Sequence, residues 1–270
     1  MLIFLKGVLI GIANIIPGLS GGTMAVILGL YSRVIEAISE LTTFKLNAIK
    51  KHFLFLFLMF FGAIVGIFAF ANIIDYFLSN YAESTFFFFI GTVIASIPIV
   101  IGCHDDMAPS FKRCICLFLF FLLPVLFLFV QSSNGDQLLS LDSFQSQLLL
   151  LFSGFVAAVA MILPGISGSF ILLVLGSYET IVFAIKSLNF YIIGIVGIGI
   201  ILGILLCAKF VRYCLHRFPS LTYYGILGLV LGSVPALWPG ISLGLIFIDS
   251  ICFLVGIAIV FLFKKKYSDI

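Results

Sequence analysis

The sequence has few charged residues. Only 9% of its 270 residues are Asp, Glu, Lys or Arg, whereas an average soluble domain contains about a quarter. A soluble globule of this length needs far more polar surface than so few charges supply, so a soluble fold is excluded. The net charge is only +3, and the basic residues are scattered among loops, which argues against a nucleic-acid partner.

Other common signatures are also missing. No basic segment precedes the first apolar run and no small-residue cleavage site follows it, so we expect no signal peptide and a mature chain that begins at Met1. The six cysteines lie in or beside apolar segments, which predicts buried thiols rather than disulfides. Cys103, His104, Cys114 and Cys116 do not have zinc-finger spacing, so we predict no metal site and no other cofactor.

Apolar residues dominate what is present. They make up 63% of the chain, and the mean hydropathy is +1.34. A helix needs about 20 apolar residues to cross the hydrocarbon core of a bilayer. The sequence therefore predicts an all-α polytopic membrane protein, with spans near 53–77, 85–102, 114–130, 190–211, 222–238 and 244–263.

Two further apolar runs are interrupted. Residues 2–16 stop at Pro17-Gly-Leu-Ser-Gly-Gly22 and are followed by a helical run over 23–40; residues 148–163 stop at Pro164-Gly-Ile-Ser-Gly-Ser169 and are followed by one over 170–186. Proline and glycine do not continue a regular helix. Because unwound backbone at membrane depth must be sheltered by protein or water, each break predicts the tip of a re-entrant hairpin.

The two breaks belong to an internal repeat. At an offset of 147 residues, the Pro-Gly-x-Ser-Gly motif and the Leu-Gly-x-Tyr segment that follows it recur in the same order; farther along, the offset becomes 137. We interpret residues 1–270 as one integral membrane domain with repeat one near 1–131 and repeat two near 148–263. Each repeat is predicted to contain one re-entrant hairpin and three transmembrane helices.

Loop charges predict the orientation of the two repeats. If each hairpin enters and leaves on one side, the basic loops all lie on one face, which the positive-inside rule makes cytoplasmic together with both termini. The basic residues on that face are Lys45, Lys50, Lys51, Lys112, Arg113, Arg212, Arg217, Lys264, Lys265 and Lys266. Three spans separate the hairpins, so the repeats are inverted, as in many secondary transporters that use alternating access.

The breaks also predict an anion site. Free N–H groups at the start of the helix after each break favour a phosphate or a carboxylate, and two such helix ends that face each other would form its binding site. Glycines allow close approach, and Ser20, Thr23, Ser167 and Ser169 add hydroxyl donors. An alternative is that the serines only cap their helices and the glycines only permit packing.

Few charged residues lie near the membrane. Arg33 lies ten residues beyond Thr23, about 15 Å along one helix, where it could bind a phosphate or pair with Glu36. Glu179 could couple transport to protons or be an ordinary helix-end acid. For Asp75 and Asp249 we expect a solvated position at headgroup depth.

A hydrolase interpretation is weaker. Gly18-x-Ser20-x-Gly22 fits the nucleophile-elbow pattern, but no strand precedes it. The possible bases His52, His104 and His216 lie in or beside loops on the predicted cytoplasmic face. We therefore predict that the protein is not an enzyme.

The runs Gly11-Ile-Ala-Asn-Ile-Ile-Pro-Gly-Leu-Ser-Gly-Gly-Thr-Met-Ala-Val-Ile-Leu-Gly-Leu-Tyr31 and Met161-Ile-Leu-Pro-Gly-Ile-Ser-Gly-Ser-Phe170 resemble the polyprenyl-phosphate transporter (PopT) family. The resemblance covers nearly the whole chain. It implies a multi-pass plasma-membrane protein that returns undecaprenyl phosphate from the outer to the cytoplasmic leaflet for cell-envelope synthesis.

The family's motifs fall on specific residues of this chain. They are Asn14, Pro17, Gly18, Ser20, Gly21, Gly22, Thr23, Pro164, Gly165, Ser167, Gly168 and Ser169. Arg33 and Glu179 fit polar positions after each motif, and the resemblance assigns them no role. A transporter of a small soluble anion remains the alternative, and either protons or the membrane potential could drive transport.

Overall fold

The described residues are all helix, turn or loop. The structure is a computed structural model that describes residues 1–16, 19–43, 46–129, 143–240, 242 and 244–267, with the backbone alone for 48 and 263–267. Its helices are α1 (Leu2–Ile15), α2 (Gly21–Ile27), α3 (Tyr31–Leu41), α4 (Leu46–Asn80), α5 (Ala82–Ile101), α6 (Phe111–Phe129), α7 (Phe144–Ile162), α8 (Gly168–Val174), α9 (Tyr178–Lys186), α10 (Phe190–Arg217), α11 (Pro219–Gly232), α12 (Val234–Leu237) and α13 (Ile246–Tyr267).

Six stretches of the described residues are long and apolar enough to cross a bilayer, so the chain is a multi-pass membrane protein. Five of them overlap the predicted spans that begin near 53, 85, 114, 190 and 222; the sixth is α7. The predicted span 244–263 overlaps α13, which begins at Ile246. α7 is longer than the predicted run 148–163 because Ser143 caps it, accepting hydrogen bonds from the backbone N–H groups of Gln145 and Ser146.

The prediction of one continuous helix after each break is wrong. Both runs divide where a glycine adopts a left-handed conformation, Gly29 with φ 65° and Gly176 with φ 66°. The N–H of Leu30 then bonds to the Ala25 carbonyl at 2.8 Å, and that of Ser177 to the Leu172 carbonyl at 3.0 Å. This is how a glycine ends a helix in a Schellman motif. The α8–α9 bend is 112°.

Glycines allow the longest helix contacts. α1 packs on α4, and α7 packs on α10. A Cβ atom at Gly62 would overlap the Phe4 carbonyl, and one at Gly199 would overlap the Leu151 carbonyl. The two contacts correspond to each other in the internal repeat. Phe4 and Leu151 are 147 residues apart, and Gly62 and Gly199 are 137 residues apart. The helix before each break therefore packs on a later long helix in the same way.

The remaining large contacts join the two halves of the sequence. α5 packs on α13, and α6 packs on α11. The backbone of Gly91 lies against the Phe253 carbonyl, and that of Gly228 lies against the Leu117 carbonyl. Gly91 and Gly228 are again 137 residues apart. In each of these two pairs, one helix thus comes from the first half of the sequence and the other from the second half.

Large apolar side chains cover much of the surface. On α6 the only buried residue is Pro124, and exposed phenylalanines such as Phe68 occur on other long helices. No disulfide joins any of the six cysteines, and Cys103 and Cys114 are exposed. The prediction of buried thiols is therefore wrong for these two, because Cys103 lies just beyond the end of α5 and Cys114 lies in the first turn of α6.

Candidate functional site

The first break is held together by its own hydroxyl groups. Ser20 is the N-cap of α2 and accepts a hydrogen bond from the Thr23 N–H at 3.1 Å. The two hydroxyl oxygens are 2.9 Å apart, and both side chains are buried. The Gly21 N–H donates to the Asn14 side-chain oxygen at 3.0 Å. The capping role that the sequence left open is therefore present at this break.

The second break has a different hydrogen-bond pattern. Ser167 is the N-cap of α8 but makes no side-chain cap bond. Its hydroxyl lies 2.9 Å from that of Ser169, and this pair is exposed. Gly165 has φ 82°, which favours glycine, and a Cβ atom there would overlap the Leu229 carbonyl.

The two breaks meet at Gly165. Its backbone N–H donates to the hydroxyl oxygens of Ser20 at 3.0 Å and of Thr23 at 2.8 Å. A Cβ atom at Gly22 would lie 3.1 Å from the Ile162 carbonyl, so the backbones are also in close approach. Residues about 145 positions apart in the sequence therefore form one junction, as the paired motifs predict.

A cavity opens beside the second break. It has a volume of about 280 Å³ and is lined by residues of α6, the break, α8 and α12. Ser167 and Ser169 supply its hydroxyl groups, while Phe127 and Phe170 form an apolar wall. The cavity therefore offers hydroxyl donors next to a hydrocarbon surface.

The other predicted site residues occupy several positions. Pro164 is fully buried and Gly168 is buried at the start of α8, where a Cβ atom would meet Met161. Pro17 and Gly18 lie outside the described residues. Glu179 is exposed in the first turn of α9, and none of the described contacts links it to either break.

Arg33 lies on α3 rather than on the helix that begins at the first break, so the predicted 15 Å along one helix does not apply. Its guanidinium carbon is 4.3 Å from the centre of the Phe55 ring, a cation–π contact. The ion pairs among the described residues include none between Arg33 and Glu36.

Sequence reasoning missed Lys6. Its ammonium group donates to the Leu28 carbonyl at 2.8 Å and lies close enough to Arg33 for their charges to interact. Two cations are thus held near the end of α2 that is remote from the junction. The offset of 147 pairs Lys6 with Ser153 and Arg33 with Thr180, so the other half has uncharged residues there. A comparison of the two halves at this offset could have identified Lys6 from the sequence.

A polar network joins α3 to the long helices α4 and α10. Glu40 of α3 accepts from His52 at 2.8 Å, from Lys51 at 3.3 Å and from Arg212 of α10 at 3.5 Å. The hydrogen bond from His52 and the charge of Lys51 hold the pKa of Glu40 below its ordinary value. The network therefore depends on the ionised carboxylate.

The solvated position expected for Asp249 is wrong. Its side chain is 3% exposed, and it accepts a hydrogen bond from the Ser84 hydroxyl at 2.6 Å. The second carboxylate oxygen has no hydrogen-bond partner. α13 packs against α5 at this point, which removes Asp249 from the surface although it lies only three residues from the start of its helix.

The described histidines and cysteines form no metal site. No group of three or more His, Cys, Asp or Glu residues suited to a metal ion occurs in the described part of the chain.

The described partners of the Ser20 hydroxyl are Thr23 and Gly165. Since His52 is bonded to Glu40 instead, the geometry does not provide Ser20 with the base that a serine nucleophile needs.

Comparisons with known proteins agree with the paired motifs. Residues 10–255 match the model of the VCA0040-like family, described as undecaprenyl phosphate translocase-like. The chain is 30% identical over 246 residues to a polyprenyl-phosphate transporter of Vibrio cholerae, covering 87% of this chain and 77% of the relative. It is 31% identical over 263 residues to a polyprenyl-phosphate transporter of Staphylococcus aureus, covering 93% and 92%. No solved structure is significantly similar.

The family match extends from α1 into α13 and includes both breaks and their junction. The similar proteins are named as transporters, in keeping with a multi-pass membrane chain. The chain therefore belongs to the undecaprenyl phosphate translocase-like family.

Proposed function

We propose that this protein carries undecaprenyl phosphate, or a related polyprenyl phosphate, from the outer to the cytoplasmic leaflet of the plasma membrane. Its relatives are named polyprenyl-phosphate transporters. The observation that carries the proposal is the junction of the two Pro-Gly-x-Ser-Gly breaks at Gly165. Recycling of the lipid carrier for envelope synthesis is its role in the cell.

The phosphate headgroup binds at this junction while the tail remains in an apolar environment. Sheltering the headgroup is the essential task, because a charged group is costly in hydrocarbon and the tail is not. Hydroxyl groups and free backbone N–H groups supply donors to the phosphate. Asn14, Ser20, Thr23, Ser167 and Ser169 form the polar lining, with Pro17, Gly18, Gly21, Gly22, Pro164, Gly165 and Gly168 shaping the backbone around it.

The repeats have inverted orientations, with both termini in the cytoplasm and hairpins that enter from opposite faces. Support comes from the matched glycine contacts of α1–α4 and α7–α10 and from the exchange of helices in α5–α13 and α6–α11. Inverted repeats of this kind meet at a central substrate site in secondary transporters. α7 is a hairpin arm that reaches the junction from outside.

In the proposed transport cycle, this conformation opens the second break toward the outer leaflet. Ser167 and Ser169 face the cavity of about 280 Å³, and the hydroxyls of Ser20 and Thr23 are bonded to Gly165. Alternating access then requires the Gly165 bonds to break, so that the headgroup moves to the first break. Lys6 and Arg33 attract it to the cytoplasmic side, because cations stabilise a phosphate. Glu179, on the proposed outer side, has no attractive role toward the anion.

Reconstitution tests the function directly. Purified protein in liposomes should make polyprenyl phosphate, initially confined to one leaflet, accessible in the other. Accessibility equal to that in empty vesicles would overturn the proposal. Uptake of radiolabelled inorganic phosphate into the same vesicles, without lipid transfer, would instead favour the small-anion transporter.

The proposed orientation has a separate test. Single cysteines at Lys112 and Lys186, in a chain whose native cysteines are replaced by serine, should react with a membrane-impermeant maleimide only from the cytoplasmic and only from the outer side, respectively. Labelling of both from the same side of intact cells would contradict the inverted arrangement.

A further inference from the structure

Two of the cavities outside the junction occupy matching places in the two halves. One has a volume of about 510 Å³ and lies between α4, α5 and α13, near the α4–α5 turn. The other has a volume of about 290 Å³ and lies between α6, α10 and α11, near the α10–α11 turn. We name them the α5 cavity and the α11 cavity.

The match holds residue by residue. The α5 cavity has eight lining residues between 73 and 89. All eight correspond, at the offset of 137, to lining residues of the α11 cavity. Examples are Phe77 and Cys214, Tyr81 and Phe218, and Thr85 and Thr222. Eight coincidences at one offset make the two cavities copies of one feature of the repeat.

The walls suit hydrocarbon rather than a polar ligand. The Thr85 hydroxyl donates to the Tyr81 carbonyl at 2.7 Å, and the Thr222 hydroxyl donates to the Phe218 carbonyl at 2.8 Å. The Ser84 hydroxyl is likewise engaged, with Asp249. These three hydroxyls already have protein acceptors, and apart from the tyrosine hydroxyls and the thiols the other lining side chains are apolar. The Tyr31 hydroxyl in the α11 cavity is buried without a hydrogen-bond partner, so an entering polar group would find few partners for those it lost in water.

The α11 cavity reaches the site of the phosphate. Its wall includes Leu163 and Leu229. Leu163 precedes Pro164, and the Leu229 carbonyl lies against the backbone of Gly165. A lipid whose phosphate is bound at the junction therefore places the first part of its chain beside this wall. An ordinary membrane lipid, with its headgroup at the bilayer surface, brings only the distal part of its acyl chains to this depth.

From this continuity we propose that the α5 and α11 cavities are binding sites for the phosphate-proximal isoprenoid chain of the substrate. The inference rests on the proposed function. The inverted repeats place one cavity in each leaflet, the α5 cavity in the outer one. The chain occupies the α5 cavity as the lipid enters and the α11 cavity as it leaves. The larger volume of the α5 cavity agrees with a conformation that faces outward.

Photo-crosslinking in liposomes tests this inference. The probe is a polyprenyl phosphate with a diazirine on its second isoprene unit, and the comparison lipid is phosphatidylglycerol with a diazirine on one acyl chain. The polyprenyl probe should label peptides from both cavities at least about five-fold more than the comparison lipid does, and excess unlabelled polyprenyl phosphate should compete.

Matched variants locate the labelling. Thr85→Trp fills the α5 cavity and Thr222→Trp fills the α11 cavity; each should reduce labelling of its own cavity about five-fold and slow lipid transfer. Phe68→Trp, at an exposed position on α4, should change neither. A thermal unfolding temperature near that of the wild type verifies that the variants fold. If a tryptophan variant unfolds, Thr85→Leu or Thr222→Leu replaces it.

The outcomes separate this inference from the proposed function. Equal labelling by both lipids, or labelling outside the cavities only, would overturn the inference even if the wild type transfers polyprenyl phosphate. A wild type that transfers no lipid would overturn the proposed function, and with it the assignment of the chain as substrate. Cavity-specific, competed labelling together with transfer supports both.

Discussion

At the first break, the buried hydroxyls of Ser20 and Thr23 bond to the backbone of the other half. At the second break, the hydroxyls of Ser167 and Ser169 bond to each other and face a cavity. Both breaks have the Pro-Gly-x-Ser-Gly motif. The same motif thus forms hydrogen bonds between the two halves at the first break and an accessible polar surface at the second.

The largest expected effect concerns the backbone at the second break. Gly165→Ala should lower the free energy of unfolding by about 3 kcal/mol or more, because its Cβ would overlap the Leu229 carbonyl and strain a left-handed conformation. Gly29→Ala, also left-handed but with open space around it, should cost only about 1 kcal/mol. Denaturation in detergent measures both. Similar losses would show that the junction imposes no special packing.

The next effect concerns the hydrogen bonds that Ser20 and Thr23 accept from the Gly165 N–H. Ser20→Ala with Thr23→Ala removes both acceptors of the Gly165 N–H and should lower the free energy of unfolding by about 1–3 kcal/mol. It should also increase access of a maleimide to a cysteine introduced at Ile162, which lies against Gly22. Unchanged stability and access would mean that these hydrogen bonds do not hold the breaks together.

The corresponding change at the second break should separate stability from transport. Ser167→Ala with Ser169→Ala removes no described bond to another part of the chain, so stability should change by about 0.5 kcal/mol or less. Lipid transfer in liposomes should fall roughly ten-fold, because hydrogen bonds to a charged group contribute about 1.5–3 kcal/mol. A variant that unfolds readily but transfers lipid at the wild-type rate would reverse the comparison.

A smaller effect is expected at Arg33, because Thr180, its counterpart in the second half, is uncharged. Arg33→Gln should slow lipid transfer several-fold at low salt, and Arg33→Lys should retain part of the rate because it keeps the charge but loses the bidentate geometry. Lys112→Gln, an exposed change on the same predicted face, is the control. A rate for Arg33→Gln that equals the control at every salt concentration would remove Arg33 from the substrate path.

The smallest effect is a dependence on acid. Because hydrogen bonding by His52 lowers the pKa of Glu40, its network stabilises the fold at pH values above the ordinary carboxyl value of 4.5, and this contribution is lost as the pH falls through the lowered pKa. Glu40→Gln should reduce the fall in melting temperature below that value. Asp106→Asn serves as a comparison, since Arg113 lowers the pKa of Asp106 in a separate ion pair. Equal effects of the two substitutions would show that Glu40 contributes no more than Asp106 to the pH dependence of stability.

The sequence predicted the helical class, five spans and the meeting of the two breaks, because apolar length and repeated proline and glycine act locally. It did not predict that Gly29 and Gly176 end helices, since an isolated glycine can also lie within one. The burial of Asp249 and the bond from Gly165 to Ser20 depend on which helices pack together. Packing of this kind is encoded in contacts far apart in sequence, and periodicity does not reveal it.

The glycine contacts between α1 and α4 and between α7 and α10 have a consequence for how the family changes over time. Gly62 and Gly199 each face a carbonyl of the neighbouring helix with no space for a Cβ, so neither can drift without a change in its partner helix. Exposed phenylalanines such as Phe68 have no such constraint. In relatives about 30% identical to this chain, substitutions should therefore accumulate on the apolar surface and spare these two helix seams.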